Sequence, residues 1–128
     1  MKSVKDITAP KAWDLLNSNP KAILIDTRTE AEWKSVGTPL LEGKIFRISS
    51  HNAPFMMANP KFLEELNKEI ADKTVPVIFM CKTSGRSRIA ADIALNDGYN
   101  DCYVVSDGFM GTNSETGWLN SKLPYEIL

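Results

Sequence analysis

Histidine occurs once and cysteine only twice in these 128 residues. His51 lies far along the chain from Cys81 and Cys102, and no Cys-x-x-Cys pair or Cys/His cluster has metal-ligand spacing. That pattern argues against a zinc site and against a disulfide framework, and no cofactor motif is present. Long apolar runs are missing too: the longest, around Val75 to Cys81, is the length of one strand, and the N-terminal MKSVKDITAPK has no apolar stretch behind its lysines. We therefore expect neither a signal peptide nor a membrane span, and a cytoplasmic location. Charge of one sign is also not in excess, since 15 Lys+Arg stand against 16 Asp+Glu for a net charge of -1. Such a chain has no overall positive field to hold nucleic acid or an anionic membrane, so any anion site must be local. Repeats, low-complexity tracts and Gly/Ser linkers are absent, and residues 1–128 read as one domain with an ordinary globular balance of 43% hydrophobic and 24% charged residues.

What is present is an alternation of short apolar runs with helical patterns, the signature of βαβ units. Ala22-Ile23-Leu24-Ile25, Val77-Ile78-Phe79-Met80 and Tyr103-Val104-Val105 are apolar at consecutive positions, as parallel strands covered on both faces must be. Lys44-Ile45-Phe46-Arg47-Ile48 alternates instead, which places it at a sheet edge. Thr29-Glu30-Ala31-Glu32 reads as a capping box, and Asn59-Pro60 as a cap followed by a first-turn proline. Thr8 reads as the cap of a first helix carrying Trp13 and Leu16. Phe62, Leu63, Leu66 and Ile70 recur at helical spacing, as do Ile89, Ala90, Ile93 and Ala94 before Gly98. The expected architecture is an α/β fold with a central parallel sheet of about five strands and helices on both faces.

Ligands of such sheets bind beyond the carboxyl ends of the strands, where loops feed helix N-termini. Here a buried strand delivers Cys81 straight into Lys82-Thr83-Ser84-Gly85-Arg86-Ser87, after which a helix begins. Lys82, Arg86 and Arg88 contribute three positive charges, and no acid intervenes before Asp92. Cationic neighbours and a helix N-terminus both favour thiolate over thiol. Small residues at 83–85 allow backbone N–H groups to turn inward as an anion-binding nest. Cys81 is thus the candidate nucleophile, rather than the inert core residue that a cysteine ending an apolar strand often is.

The loop resembles the active-site loop of the rhodanese family, in which sulfurtransferases carry Cys, four intervening residues, then Arg and often Ser, as in Cys81-x4-Arg86-Ser87. The resemblance extends to Leu24-Ile25-Asp26-Thr27-Arg28 with Glu30 and Trp33, to Asn59-Pro60 through Leu66, to Asp107-Gly108-Phe109, and to Gly117-Trp118 with Leu123-Pro124. It implies a rhodanese fold and transfer of a sulfane sulfur through a persulfide on Cys81, from thiosulfate or a similar small anionic donor to cyanide or a thiol on a small molecule or protein. Arg86 and Lys82 would bind the donor's negative end, and Ser87 or Thr83 would hydrogen-bond to the sulfur. The family's His-Ile-Pro-Gly-Ala segment is replaced by Gly37-Thr38-Pro39-Leu40, and its fourth loop position is Ser84, with the glycine moved to Gly85. We expect Gly85 to take the left-handed turn, because only glycine does so without cost.

Cysteine-dependent phosphatases and arsenate reductases place Arg six residues after Cys, which here is Ser87, so their cradle is one residue longer than this loop. A Walker A loop would need Gly and Lys where Met80 and Arg86 stand. The rhodanese fold also serves as a non-catalytic binding or regulatory module, and the presence of Cys81 argues for the enzyme. Asp26 and Arg28 are placed to face the loop from the neighbouring strand end, although an Arg28 to Glu32 pair is the expected use of that arginine. His51 reads as a loop residue, and Trp13, Trp33 and Trp118 as packing residues. Phe55, Met56 and Met57 form either an apolar wall over the site or the cover of a helix.

Overall fold

The computed structural model describes residues 2–128. Its elements run β1 (Lys5–Ile7), α1 (Ala9–Ser18), β2 (Ile23–Asp26), α2 (Glu30–Ser35), β3 (Thr38–Pro39), β4 (Ile45–Arg47), β5 (His51–Asn52), β6 (Met57–Ala58), α3 (Phe62–Glu69), β7 (Pro76–Met80), α4 (Gly85–Asn96), β8 (Asp101–Val105), α5 (Gly117–Asn120) and β9 (Tyr125–Glu126). Five strands form one parallel sheet in the order β1-β8-β7-β2-β4. The pairs β3–β9 and β5–β6 lie outside it as short antiparallel ribbons.

Position in the sheet explains the strand patterns. The middle strand β7 is buried at every residue, whereas β4, at the edge, leaves Arg47 exposed. The opposite edge, β1, has no apolar pattern to reveal it. It becomes a strand because Lys5, Asp6 and Ile7 pair in register with Tyr103, Val104 and Val105. On one face Ile25, Val77, Phe79 and Val104 are covered by Phe62 and Leu66 of α3 and by the alanines of α4. On the other, Leu24, Ile78, Met80 and Val105 pack under Ala9, Ala12 and Leu16 of α1 and Trp118 of α5. Trp13 meets Trp118 edge-on at 5.8 Å between ring centroids.

Three local expectations are corrected. The inward stripe of α4 is Ser87, Ala90, Ala91 and Ala94, while Ile89 and Ile93 are 48% and 39% exposed. Small side chains let this helix lie close on the sheet, so the larger isoleucines turn outward. Asn59 and Pro60 precede α3 as a separate turn, in which Asn59 Oδ1 accepts the Lys61 N–H at 3.0 Å and the Asn59 carbonyl accepts the Phe62 N–H at 3.1 Å. Thr8 occupies the N-cap of α1 without a side-chain cap bond. Asp107, remote in sequence, accepts the Ala9 N–H at 2.8 Å instead. The capping box of α2 forms as expected, with Thr29 and Glu32 bonding reciprocally. Because all five sheet strands run the same way, the carboxyl ends of β2, β7 and β8 and the starts of α2 and α4 share one side of the molecule. Among the described residues no helix is long and apolar enough to cross a membrane.

Candidate active site

Cys81 follows the last residue of β7 and is only 1% exposed. The strand pairing that buries β7 also locks its end: the Thr27 N–H and hydroxyl both donate to the Met80 carbonyl, at 2.8 and 2.9 Å. From the other side the Phe109 N–H donates to the Cys81 carbonyl at 2.9 Å and the Met110 N–H to the Lys82 carbonyl at 3.0 Å. The loop is therefore held from both neighbouring strand ends. Gly108, at φ +62, makes this close approach possible, since a Cβ there would lie 2.3 Å from the Thr83 carbonyl oxygen. Gly85 does not take the expected left-handed turn. It opens α4 and a side chain there would meet nothing within 4 Å, while Ser84 closes the loop at φ −151 and ψ −12. With the loop clamped by the Phe109 and Met110 amides, the chain enters the helix without a left-handed residue, and the glycine that needs the left-handed region sits on the clamping loop.

The sulfur is served by Ser87. The Ser87 N–H points at Sγ over 3.4 Å, and the Ser87 hydroxyl oxygen lies 3.4 Å from Sγ while donating its own hydrogen to the Ser84 carbonyl at 2.9 Å. As a thiol, Cys81 donates to that oxygen. As a thiolate it takes the Ser87 N–H, and the hydroxyl hydrogen has only to rotate from the carbonyl to the sulfur. In the rest of the loop the amides of Lys82, Thr83, Ser84, Gly85 and Arg86 have no hydrogen-bond partner among the described residues, at the N-terminus of a 12-residue helix. Unpaired amides at a positive helix end are the physical basis of an anion cradle. Lys82 and Thr83 are exposed at its rim.

Arg86 departs from expectation. Its Nη1 and Nη2 donate to the two carboxylate oxygens of Glu32 at 2.7 and 2.9 Å, so the guanidinium is already engaged. Burial by itself pushes the Glu32 carboxyl up, but the hydrogen bonds and charge of Arg86, with the Thr29 contacts, outweigh it and bring it down to about 2. The Glu32 bond holds Arg86 above its ordinary value, against the opposing effect of burial. Arg88 is paired with Asp6, which leaves Lys82 as the loop cation without a carboxylate partner among the described residues. Arg28 does not meet Glu32. It bonds Asp26 through Nε and Nη2 at 3.0 and 2.9 Å, donates to the Gly37 carbonyl at 2.5 Å, and stacks 4.2 Å from the centroid of Phe109. Both members are fully buried, and Thr38 donates to Asp26 at 2.8 Å. Fork geometry and chain proximity favour the Asp26 partner, and the pair supports the loop from beneath by fixing the Phe109 segment.

None of the remaining candidates hydrogen-bonds to the sulfur among the described residues. His51 starts β5 with its Nδ1 2.8 Å from Ser50 Oγ. Phe55 and Met57 are 83% and 68% exposed at the β5–β6 ribbon and so cover no helix. Cys102 is fully buried, pairs with Val77 four residues before Cys81, and both thiols are free. Burial, followed by the nearby Asp101 and Asp92 charges, pushes the Cys102 thiol up to about 11. The pairing of Glu32 with Arg86 has no signal in the sequence, where the capping box and an expected pair with Arg28 account for that carboxylate.

The match to known proteins covers nearly the whole chain. The family model described as the STR4 middle domain matches residues 5–127. An uncharacterised protein of Rickettsia conorii is 40% identical over 128 residues, covering 98% of this chain and 99% of that one. The thiosulfate sulfurtransferase GlpE of Haemophilus influenzae is 27% identical over 124 residues, covering 97% of this chain and 96% of its own. A Mycobacterium tuberculosis crystal structure superposes with a TM-score of 0.87 at 36% identity, covering 98% of this chain and all (100%) of that chain. Sheet order, the clamped cysteine loop and this full-length match agree, and the chain belongs to the STR4 middle-domain family, with the fold of the rhodanese-like domains.

Proposed function

We propose that the protein is a sulfurtransferase that carries a sulfane sulfur on Cys81 between a small anionic donor, such as thiosulfate, and a thiol or cyanide acceptor. The observation that carries this reading is the position of the Cys81 sulfur at the floor of a loop whose amides are unpaired at the start of α4. Thiosulfate sulfurtransferase activity in a full-length relative points the same way. In the first half-reaction the Cys81 thiolate attacks the outer sulfur of thiosulfate. A new S–S bond forms, the bond to the sulfonate sulfur breaks, and sulfite leaves with the electron pair. The persulfide anion on Cys81 then lies among the amides of Lys82, Thr83, Ser84, Gly85 and Arg86, where dipoles that need no reorganisation stabilise it. Ser87 supplies its N–H and its rotated hydroxyl to the inner sulfur, and Lys82 attracts the donor from the rim. In the second half-reaction an acceptor thiolate or cyanide attacks the terminal sulfur and returns Cys81 as thiolate.

The deciding experiment is the intact mass after incubation with thiosulfate. One added sulfur atom, located on Cys81 and removed by cyanide or dithiothreitol, is expected. Unmodified protein after exposure to a range of sulfane donors overturns the proposal and leaves a rhodanese-like binding module.

A further inference from the structure

The charge this loop offers a ligand depends on which of its cations are already engaged. Arg86 and Arg88 are paired with the carboxylates of Glu32 and Asp6 while Lys82 is not, so the cluster carries 3 − 2 = +1 rather than the three charges written in the sequence. The Arg86 to Glu32 pair is the more sheltered of these two ion pairs and is bidentate: its side chains are 18% and 25% exposed, and Nη1 meets Oε1 while Nη2 meets Oε2. A parallel fork of this kind is how a guanidinium binds a carboxylate, and equally how it would bind the oxyanion end of a donor. One fork cannot do both at once. Nor is Glu32 free to swing away, because its Oε1 also accepts the Thr29 N–H at 3.2 Å and the Thr29 hydroxyl at 3.1 Å, which ties the carboxylate to the first turn of α2.

Resting on the reading of Cys81 as the sulfur carrier, we propose that Glu32 is a specificity-determining residue: by filling the Arg86 fork it makes the site disfavour dianionic oxyanion donors relative to sulfane donors of lower charge. A donor such as thiosulfate must displace a tethered carboxylate to reach Arg86, or bind to the loop amides and Lys82 alone. An uncharged donor needs only the amides, so Glu32 leaves it unaffected. The capping box that shapes α2 thereby sets the charge that the cysteine loop accepts.

The test compares alkylation of Cys81 by neutral iodoacetamide and anionic iodoacetate in the full chain, in the wild type, Glu32→Gln, Glu32→Asp and the double variant Glu32→Gln/Arg86→Gln. Glutamine keeps the capping box and removes the charge. Glu32→Gln is expected to raise the ratio of iodoacetate to iodoacetamide rates by about tenfold, the effect of releasing one charge-assisted contact. Glu32→Asp, one methylene too short to hold the fork, should raise it by less, and the double variant should return it to the wild-type value. Equal acceleration of both reagents would mean that Glu32 only stiffens the loop, and an unchanged ratio would mean that Arg86 does not face the incoming anion; either overturns the proposal. If Glu32→Gln does not fold, Glu32→Asp is judged by the same two criteria. In turnover, Glu32→Gln should lower KM for thiosulfate and leave KM for dimethyl trisulfide unchanged, and a parallel shift of both overturns the proposal. Alkylation needs no sulfur transfer, so failure of every donor to load Cys81 defeats the proposed reaction while the alkylation ratio separately decides the role of Glu32.

Discussion

Ser87 meets the Cys81 sulfur with two atoms, and only one of them belongs to its side chain. Ser87→Ala keeps the N–H and removes the hydroxyl that would rotate onto a thiolate or persulfide. A hydrogen bond to a charged group contributes about 1.5 kcal/mol at the low end, so sulfur loading should slow roughly tenfold, measured by mass spectrometry against time with thiosulfate. An unchanged loading rate would leave the amide as the sole contact that matters. Cys102 is the opposite case. Buried, 3.9 Å from the Tyr99 carbonyl and about 13 Å along the sheet from the level of Cys81, it is a packing residue, and Cys102→Ala should load and release sulfur at the wild-type rate. Persulfide trapped on Cys81 in that variant would make Cys102 a resolving thiol instead. The sequence marked Cys81 and Ser87 because their order in the chain sets their chemistry: strand end, short loop, helix start. It did not mark Glu32 as the partner of Arg86, since the two are 54 residues apart and meet only because β2 and β7 are neighbours.

Those two side chains join elements as well as residues, tying the first turn of α2 to the first turn of α4. Glu32 is brought down from the ordinary 4.5 to about 2 in the folded protein. A lowered carboxylate adds stability that is fully present above the unfolded value and is lost as pH falls through the folded one. Urea unfolding followed from pH 6 to pH 2 should therefore show stability declining between about 4.5 and about 2, and in Glu32→Gln that part of the decline should disappear. An identical pH slope in the variant would show that other carboxylates govern acid unfolding. The loop after β8 acts at the same scale by clamping the cysteine loop. Gly108→Ala forces a left-handed non-glycine residue and a Cβ 2.3 Å from the Thr83 carbonyl. We expect it to lower stability by about 2 to 4 kcal/mol and to slow Cys81 loading, both measured on one preparation. Loss of neither would mean that the clamp gives way easily. The α2 capping box was legible because every contact in it is local, whereas Thr8 holds the expected N-cap position of α1 without a side-chain cap bond, and the Ala9 N–H is taken by Asp107, which arrives from 98 residues away.

Across the whole molecule, the fully buried Asp26 to Arg28 pair joins the end of β2 to Gly37, Thr38 and Phe109 beneath the site. Removing one partner leaves the other charged and unpaired in the interior, so Asp26→Ala should destabilise the protein by about 3 to 5 kcal/mol at neutral pH, read from the urea midpoint. A loss under about 1 kcal/mol would mean that water or another carboxylate reaches Arg28. The sequence by itself determined the sheet interior, the helices and the placement of Cys81 between a strand end and a helix start. Continuous apolar runs can be satisfied only by strands covered on both faces, and a cysteine ending such a run at a helix start has no other place to sit. The tertiary structure alone decided the β1 edge, the conformation of Gly85, the outward turn of Ile89 and Ile93, and above all the charge of the loop. Each of these depends on which distant segments the sheet order makes neighbours. An arginine in a sequence carries its charge wherever it lies, but whether that charge is open to a ligand depends on the carboxylate that folding places beside it.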